Sequence, residues 1–176
     1  MATRTLDAAP TAPVARTAQH ATFVIERTLA AAPSQVFAAF ADPVAKGRWF
    51  VGPDRRQSSD HRLEFRVGGR EHLSSRAPGG VTHVFDALYQ DIVPDGRIVY
   101  SYEMHLDEKR ISVSLATLEL LPEGTGTYLI LTEQDAFLDG ADLPAQREQG
   151  TRELLDNLEA ELRRASSPTQ ASSTTR

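Results

Sequence analysis

The 176-residue sequence contains no cysteine, which excludes disulfide bonds, thiolate metal ligands and cysteine nucleophiles. It also lacks an excess of basic residues, since 24 acidic residues outnumber 19 basic ones and give a formal charge of −5 at pH 7. Nucleic-acid-binding proteins cluster Lys and Arg against the phosphate backbone, whereas the basic residues here are scattered. We therefore expect no nucleic-acid partner.

Long apolar runs are also missing. No run approaches the ~18 residues that cross a bilayer, so we expect no membrane insertion. The first twenty residues lack the continuous apolar segment of a secretory signal. Together with the missing cysteines, these absences predict a soluble, cytoplasmic protein.

The two ends of the chain are poor in residues that build a core. Residues 1–20 are rich in Ala, Thr and Pro, and residues 165–176 are rich in Ser and Thr. Neither segment has the apolar side chains that would offset the entropy cost of ordering it. We predict a disordered arm over 1–20, one domain over 21–164 and a disordered tail over 165–176.

Short motifs of common catalytic and cofactor sites are absent as well. The sequence has no GxSxG nucleophile elbow, no GxGxxG or Walker phosphate loop and no HExxH pair. His61, His72 and His83 are spaced eleven residues apart, which matches no metal-ligand motif. We predict neither a cofactor nor a metal site.

What the sequence does contain is a series of strand patterns separated by Gly and Pro turns. A first strand over 22–29 leads into two short helices that begin at Pro33 and Pro43. Gly68 and Gly69 are predicted to connect two strands of a tight hairpin. Short connections make neighbouring strands antiparallel. The later strands are predicted over 63–67, 70–75, 81–93, 97–105, 110–121 and 127–134.

A long amphipathic helix is predicted over 144–164, and together with the sheet it gives an α+β fold. Its apolar stripe consists of Leu154, Leu155, Leu158 and Leu162. Toward the N-terminus the stripe continues into Arg147, Gly150 and Thr151, which are polar or small. The helix should therefore close on the sheet at its C-terminal half and leave a cavity at its N-terminal half. Gly150 itself fits either open space or tight packing.

Carboxylates on strands are candidates for acid or base groups if they point inward. The candidates are Glu26, Asp86, Glu103, Glu119 and Glu133. Most such residues face solvent, but Glu133 shares its strand face with Leu129 and Leu131. Burial would raise its pKa. Glu133 and His83 are therefore the candidate catalytic residues.

Aromatic residues alternate along two neighbouring strands. Tyr100 and Tyr102 share a face with Ile98, and Phe85 alternates with His83. This pattern fits a packed core or the lining of a cavity. The predicted ligand-binding residues are Phe37, Trp49, Phe65, His83, Phe85, Tyr100, Tyr102, Leu131, Glu133, Gly150 and Leu154.

Three segments together resemble the START-like (SRPBCC) helix-grip superfamily: ERTLAAAPSQVFAAFADPVAKGRWF, FRVGGR and GTGTYLILTEQDAFLDG. They look most like the branch named for the activator of the heat-shock-protein-ninety ATPase, whose bacterial members are often labelled polyketide cyclases. The resemblance implies a six- or seven-stranded antiparallel sheet curved around a long C-terminal helix, with two short helices after the first strand. It also implies a deep apolar pocket.

The expected function is the binding of a small hydrophobic or amphipathic molecule, such as a lipid, in that pocket. The resemblance leaves two alternatives, because members of the superfamily have several activities on one scaffold. One is an enzyme of the polyketide cyclase or aromatase type, with Glu133 or His83 as acid or base. The other is a chaperone-linked module with a protein partner that the sequence does not identify. A binding protein is preferred because no catalytic signature of the cyclases is present.

Overall fold

The computed structural model describes residues 16–51, 59–76 and 80–166, which form one seven-stranded sheet and three helices. The α+β class, the two short helices after the first strand and the long C-terminal helix are confirmed. The elements are β1 (Ala18–Leu29), α1 (Pro33–Ala41), α2 (Pro43–Trp49), β2 (Ser59–Leu63), β3 (Arg70–Arg76), β4 (Thr82–Val93), β5 (Arg97–Leu106), β6 (Lys109–Glu123), β7 (Gly126–Leu138) and α3 (Pro144–Ser166).

The sheet is antiparallel throughout, as predicted, with the strand order β1-β7-β6-β5-β4-β3-β2. The first strand of the chain therefore lies beside the last, and β1 and β2 form the two edges. β1 begins at Ala18 and α3 ends at Ser166, so both elements extend beyond the predicted domain limits. Residues 1–15 of the predicted arm and 167–176 of the predicted tail lie outside the described residues.

The predicted strand over 63–67 is wrong. β2 ends at Leu63, and residues 64–69 form an irregular loop rather than a two-residue hairpin turn. This loop pairs with β4, because Gly68 N donates to Tyr89 O at 2.8 Å and Tyr89 N donates to Gly69 O at 3.0 Å. A Cβ at Gly69 would lie 2.1 Å from the Glu64 carbonyl oxygen, so the loop requires glycine there.

The two short helices are fixed by local signals. Asp42 caps α2, since its Oδ1 accepts a hydrogen bond from Ala45 N at 2.7 Å, and proline occupies the first position of each helix. Trp49 Nε1 donates to Ala39 O at 2.9 Å and ties the end of α2 to α1. The indole is thereby held in a defined position at the edge of the core.

One main core lies between the helices and the inner face of the sheet. α3 contributes Leu155, Leu158 and Leu162, which are buried against residues of β1, α1, β6 and β7. This confirms the predicted closure of the C-terminal half of α3 on the sheet. Within the described ranges, no helix has the length and apolarity to cross a membrane.

Candidate functional site

A pocket of about 660 Å³ lies between the N-terminal half of α3 and the inner face of the sheet. Its position agrees with the space predicted from the small and polar residues there, and its size is within the ~300–1,000 Å³ typical of small-molecule sites. The wall is mainly aromatic and aliphatic. It includes Phe40, Trp49, Phe50, Val51, Leu73, Phe85, Tyr100, Tyr102, Met104, Leu131, Leu154 and Leu155.

Gly150 of α3 faces this open space. A Cβ built on Gly150 would meet no atom within 4 Å among its surroundings. Of the two sequence interpretations, the structure therefore favours open space over tight packing. The absence of a side chain at this position contributes directly to the room in the pocket.

Most of the predicted ligand-binding residues come together at this pocket. Phe37 and Phe65 do not line it, because their rings pack edge-on against each other with centroids 5.4 Å apart. The Phe65 ring also packs edge-on against Tyr89, with centroids 5.1 Å apart. For the other predicted residues, a role in ligand binding stays a prediction. The predicted residues that line the pocket are Trp49, His83, Phe85, Tyr100, Tyr102, Leu131, Glu133, Gly150 and Leu154.

A buried polar network, which we call the polar end, closes one side of the pocket. It comprises Tyr102, Ser112, Ser114, Glu133, Asp135, Asp142 and Arg147. The side chain of Arg147 crosses from α3 to the sheet and donates four hydrogen bonds. Its Nη1 donates to Tyr102 Oη at 3.0 Å and Ser114 Oγ at 3.4 Å, and its Nη2 donates to Ser112 Oγ at 2.8 Å and Asp142 Oδ2 at 2.5 Å.

Two carboxyl groups of β7 face this guanidinium from a greater distance. Arg147 Nη1 lies 3.8 Å from Glu133 Oε1 and 3.9 Å from Asp135 Oδ1. Tyr102 Oη donates a short hydrogen bond to Glu133 Oε1, and Ser114 Oγ donates to Asp135 Oδ1 at 2.5 Å. Asp135 Oδ2 is buried and receives no hydrogen bond from any residue in the described ranges.

Burial governs the protonation of this network. It raises the pKa of Glu133 to about 8, and the neighbouring Asp135 carboxylate acts in the same direction. Burial and the charge of Glu133 also raise the pKa of Tyr102, which keeps its hydroxyl a neutral donor. Near pH 7 Glu133 therefore holds a proton, which gives the polar end a donor beside the unsatisfied Asp135 oxygen. The prediction that Glu133 points inward is confirmed.

A second buried network lies behind the aromatic wall. Lys46 Nζ contacts Glu71 Oε2 at 2.5 Å and donates to Tyr89 Oη at 2.9 Å, while Tyr89 Oη donates to Glu71 Oε2 at 2.7 Å. His61 Nε2 lies 2.9 Å from Glu71 Oε1. Although burial acts to raise it, the pKa of Glu71 is lowered by the Lys46 charge and these hydrogen bonds. This network fixes α2 and Phe50, whose ring centroid lies 5.1 Å from Lys46 Nζ.

Tyr100 lies between the two networks. Its ring centroid is 5.8 Å from that of Tyr89 and 5.9 Å from that of Tyr102. Burial raises its pKa, so the hydroxyl stays protonated. Within the described part of the chain this hydroxyl makes no hydrogen bond, and the residue lines the pocket. It is therefore a polar group that a bound molecule can reach.

Several residues of these networks were missed from the sequence. On β6, Ser112 and Ser114 point inward, whereas Val113 and Leu115 are 43% and 37% exposed. This facing reverses what the local apolar residues predict, because it continues the alternation that buries Ala116, Leu118 and Leu120 of the same strand. An irregularity in the β5–β6 pairing beside Ser112 buries Ile111 as well. Asp135 offered a signal, because it follows the inward Glu133 by two residues on the same strand. Arg147 lay on the predicted inner face of α3, but it was interpreted only as one of the polar or small residues that leave a cavity there.

On the outer face of the sheet, ligating atoms of Asp86, Glu103 and His105 lie within 4.8 Å of one another. Two of them already have protein partners, since Arg110 Nε is 2.8 Å from Glu103 Oε2 and His72 Nδ1 is 2.7 Å from Asp86 Oδ1. Glu103 thus faces away from the pocket. This cluster is distinct from the candidate site.

Comparison with known proteins gives consistent matches. The family model described as "Activator of Hsp90 ATPase homolog 1-like protein" matches residues 30–163. The chain is similar to a solved structure from Rhizobium leguminosarum, with 47% identity, coverage of 85% of this chain and 99% of that one, and a TM-score of 0.82. A structure from Rhizobium loti has 48% identity, 82% and 99% coverage and a TM-score of 0.77.

A more distant structure, from Chromobacterium violaceum, has 26% identity, 80% and 96% coverage and a TM-score of 0.66. No curated protein matches the chain. The similarity to the three solved structures extends over nearly their whole length.

Proposed function

Because this chain belongs to the Activator of Hsp90 ATPase homolog 1-like family and has an aromatic-lined pocket, we propose that it binds a small hydrophobic or amphipathic molecule between α3 and the sheet. The observation that supports this most is the pocket itself, with about 660 Å³ of space inside an apolar wall. Small-molecule sites combine such a wall with a few placed polar groups. Lipids are among the molecules of this chemistry.

The pocket offers both kinds of contact. Trp49, Phe85 and Leu131 provide apolar surface for the body of the molecule. The Tyr100 hydroxyl and the Glu133 carboxyl provide hydrogen-bonding groups for a polar substituent. An amphipathic ligand would therefore be oriented with its polar group toward β5 and β7.

Binding can be measured through the single tryptophan of the chain, because Trp49 lines the pocket. We expect its fluorescence, and the backbone chemical shifts of β5, β7 and α3, to change with members of a panel of lipids, flavonoids and polyketide-like aromatics. Native mass spectrometry of freshly purified protein would detect a ligand that co-purifies. No response to the whole panel by either method would contradict the proposal.

Acid–base catalysis on such a ligand is a second candidate function, supported by one observation. Glu133 points into the pocket with its pKa raised to about 8 by burial, which suits a general acid or base near neutral pH. Tyr100 or Tyr102 would orient a carbonyl group. In this case wild-type protein should convert a polyketide-like substrate, followed by mass spectrometry, and Glu133→Gln should bind the substrate without converting it.

A chaperone-linked role is a third candidate, which rests on the description of the family. The exposed side chains of Val113 and Leu115 on the outer face of β6 offer an apolar contact surface. A stimulation of Hsp90 ATPase turnover by this protein, lost in the double variant Val113→Lys/Leu115→Lys, would support this role. A pull-down without a stable partner would count against it.

A further inference from the structure

Carboxyl groups outnumber cations at the polar end, and we infer that the ligand carries a basic amino group on its apolar body. This inference rests on the proposed function of the pocket and assigns the chemical class of its ligand. In the described part of the chain, Glu133, Asp135 and Asp142 are paired with a single cation, Arg147. A cationic ligand would restore the charge balance at this end.

The distances show which carboxylate already has the guanidinium. Arg147 contacts Asp142 at 2.5 Å, whereas its distances to Glu133 and Asp135 are 3.8 Å and 3.9 Å. Asp142 therefore neutralises Arg147 directly. Glu133 and Asp135 form a buried carboxyl pair whose cation among the described residues, Arg147, lies beyond hydrogen-bonding distance, and their side chains are 3% and 0% exposed.

An anionic ligand would find no free terminal N–H group on Arg147. Both terminal nitrogens already donate to oxygens of the protein, and the side chain is 10% exposed. The guanidinium also lies over the rings of Tyr102 and Phe137, with its Cζ 5.7 Å and 5.5 Å from their centroids. A carboxylate or phosphate would have to displace these contacts.

Glu133 offers the matching acceptor for an amine. Its Oε1 accepts from Tyr102, its carboxyl group also interacts with the Asp135 side chain, and Glu133 lines the pocket. Asp135 Oδ2 accepts no N–H or hydroxyl hydrogen bond within the described part of the chain. An ammonium N–H directed at Glu133 would form a charge-assisted hydrogen bond, which is stronger than a neutral one.

The aromatic wall beside Glu133 suits a cation as well. The ring centroids of Phe85 and Tyr102 are 5.0 Å apart, and those of Tyr100 and Tyr102 are 5.9 Å apart. Ring faces attract ammonium groups, most strongly where water is excluded. The same surface therefore stabilises both the apolar body and the charged group.

Binding of an amine should release a proton. Burial raises the pKa of Glu133 to about 8, so at pH 7 its carboxyl group is protonated before the ligand binds. When the ammonium group of the ligand takes the place of this proton, the proton is released to solvent. The groups that face Glu133 are Tyr102 on β5, Asp135 on β7 and Arg147 on α3, and His83 on β4 lines the same pocket.

Three probes with one aromatic body test the inference: 1-naphthylmethylamine, 1-naphthalenemethanol and 1-naphthoic acid, titrated calorimetrically at pH 7. We expect the amine to bind at least about tenfold tighter than the alcohol, which is the gain expected from a hydrogen bond to a charged group, and we expect the acid to bind weakest. Amine binding in two buffers of different ionisation enthalpy should show proton release. The alcohol should show none.

Glu133→Gln should remove the preference for the amine and the proton release while it keeps alcohol binding. Glu103→Gln, on the outer face of β5, is the matched control and should leave the ranking unchanged. If the alcohol or the acid binds as tightly as the amine to wild-type protein, the charge inference is overturned and the pocket proposal stands. If none of the three probes and no member of the hydrophobic panel binds, the proposed function fails as well. Should Glu133→Gln not fold, the wild-type ranking and proton release still decide.

Discussion

Replacing Gly150 by leucine is expected to close the pocket and to stabilise the fold at the same time. A Cβ at this position meets no atom within 4 Å and Gly150 lines the pocket, so we expect the new side chain to enter the space between α3 and the sheet. The space it fills is the one that the proposed ligand would occupy. Ligand affinity and protein stability should therefore change in opposite directions.

The magnitude follows from two effects. A glycine inside a helix costs about 0.8–1.0 kcal/mol relative to alanine, and leucine is nearly as favourable as alanine. Partial burial of the leucine against the aromatic wall adds to this, up to the ~1.5–3 kcal/mol of full burial. A gain of about 1 kcal/mol should raise the Tm of a chain of this size by about 2–4 °C. Affinity for a ligand should fall at least about tenfold, or 1.4 kcal/mol.

Thermal unfolding and calorimetric titration with the tightest-binding panel member measure the two effects. Gly150→Ala separates them, because it should give the helix-propensity gain with little loss of affinity. Ala160→Leu adds the same side chain to an exposed position of α3 and should leave affinity unchanged. A Gly150→Leu protein that binds as tightly as wild type, or that unfolds at a lower temperature, would refute the reasoning.

Three further predictions concern the buried charges. Arg147→Met leaves three carboxyl groups without their cation and should cost about 3–5 kcal/mol of unfolding free energy in urea titrations, with a smaller loss expected for Arg147→Lys. Lys46→Met should lose a similar amount of stability, because buried Glu71 loses its partner. The double variant Lys46→Met/Glu71→Leu should recover most of the lost stability, and equal losses in the single and double variants would contradict this. The pKa of Glu133 is raised in the folded state, so the folded protein binds more protons than the unfolded chain between about pH 4.5 and about pH 8. The free energy of unfolding should therefore fall as pH rises through that window. Unfolding at several pH values should show this slope in wild type and in the Glu103→Gln control, and a smaller slope in Glu133→Gln.

Where the fold was predicted correctly, the signals were local. Pro33 and the Asp42-Pro43 pair mark helix starts by chemistry that needs no distant partner, and Asp42 does cap α2. The loop over 64–69 was missed because alternating apolar residues there imitate a strand. Its actual path depends on hydrogen bonds to Tyr89, twenty or so positions later in the chain, which no local pattern contains.

The candidate site divides in the same way. Tyr102 and Glu133 were found because a period of two places them on apolar strand faces. The hydrogen bond between Arg147 and Tyr102 joins residues 45 positions apart, and it depends on strand register and on the path of α3. Ser112 was not predicted to point inward because Ile111, Val113 and Leu115 favour the opposite facing, and the irregular β5–β6 pairing beside Ser112 buries Ile111 as well. Alternation along a sequence predicts which residues share a face, but it does not show where that alternation is interrupted.

The pairing of β1 with β7 has a consequence for how the protein is made. The register joins Ala18 to Leu138 and Leu29 to Thr127, so the first strand can be completed only after the last strand exists. During synthesis β1 must wait, with Phe23 and Ile25 uncovered, while on the order of a hundred further residues are translated, and such distant contacts form slowly. Unpaired strands of this kind associate with other chains. The nascent protein is therefore most exposed to aggregation through β1, which leaves the ribosome before the other six strands of the sheet.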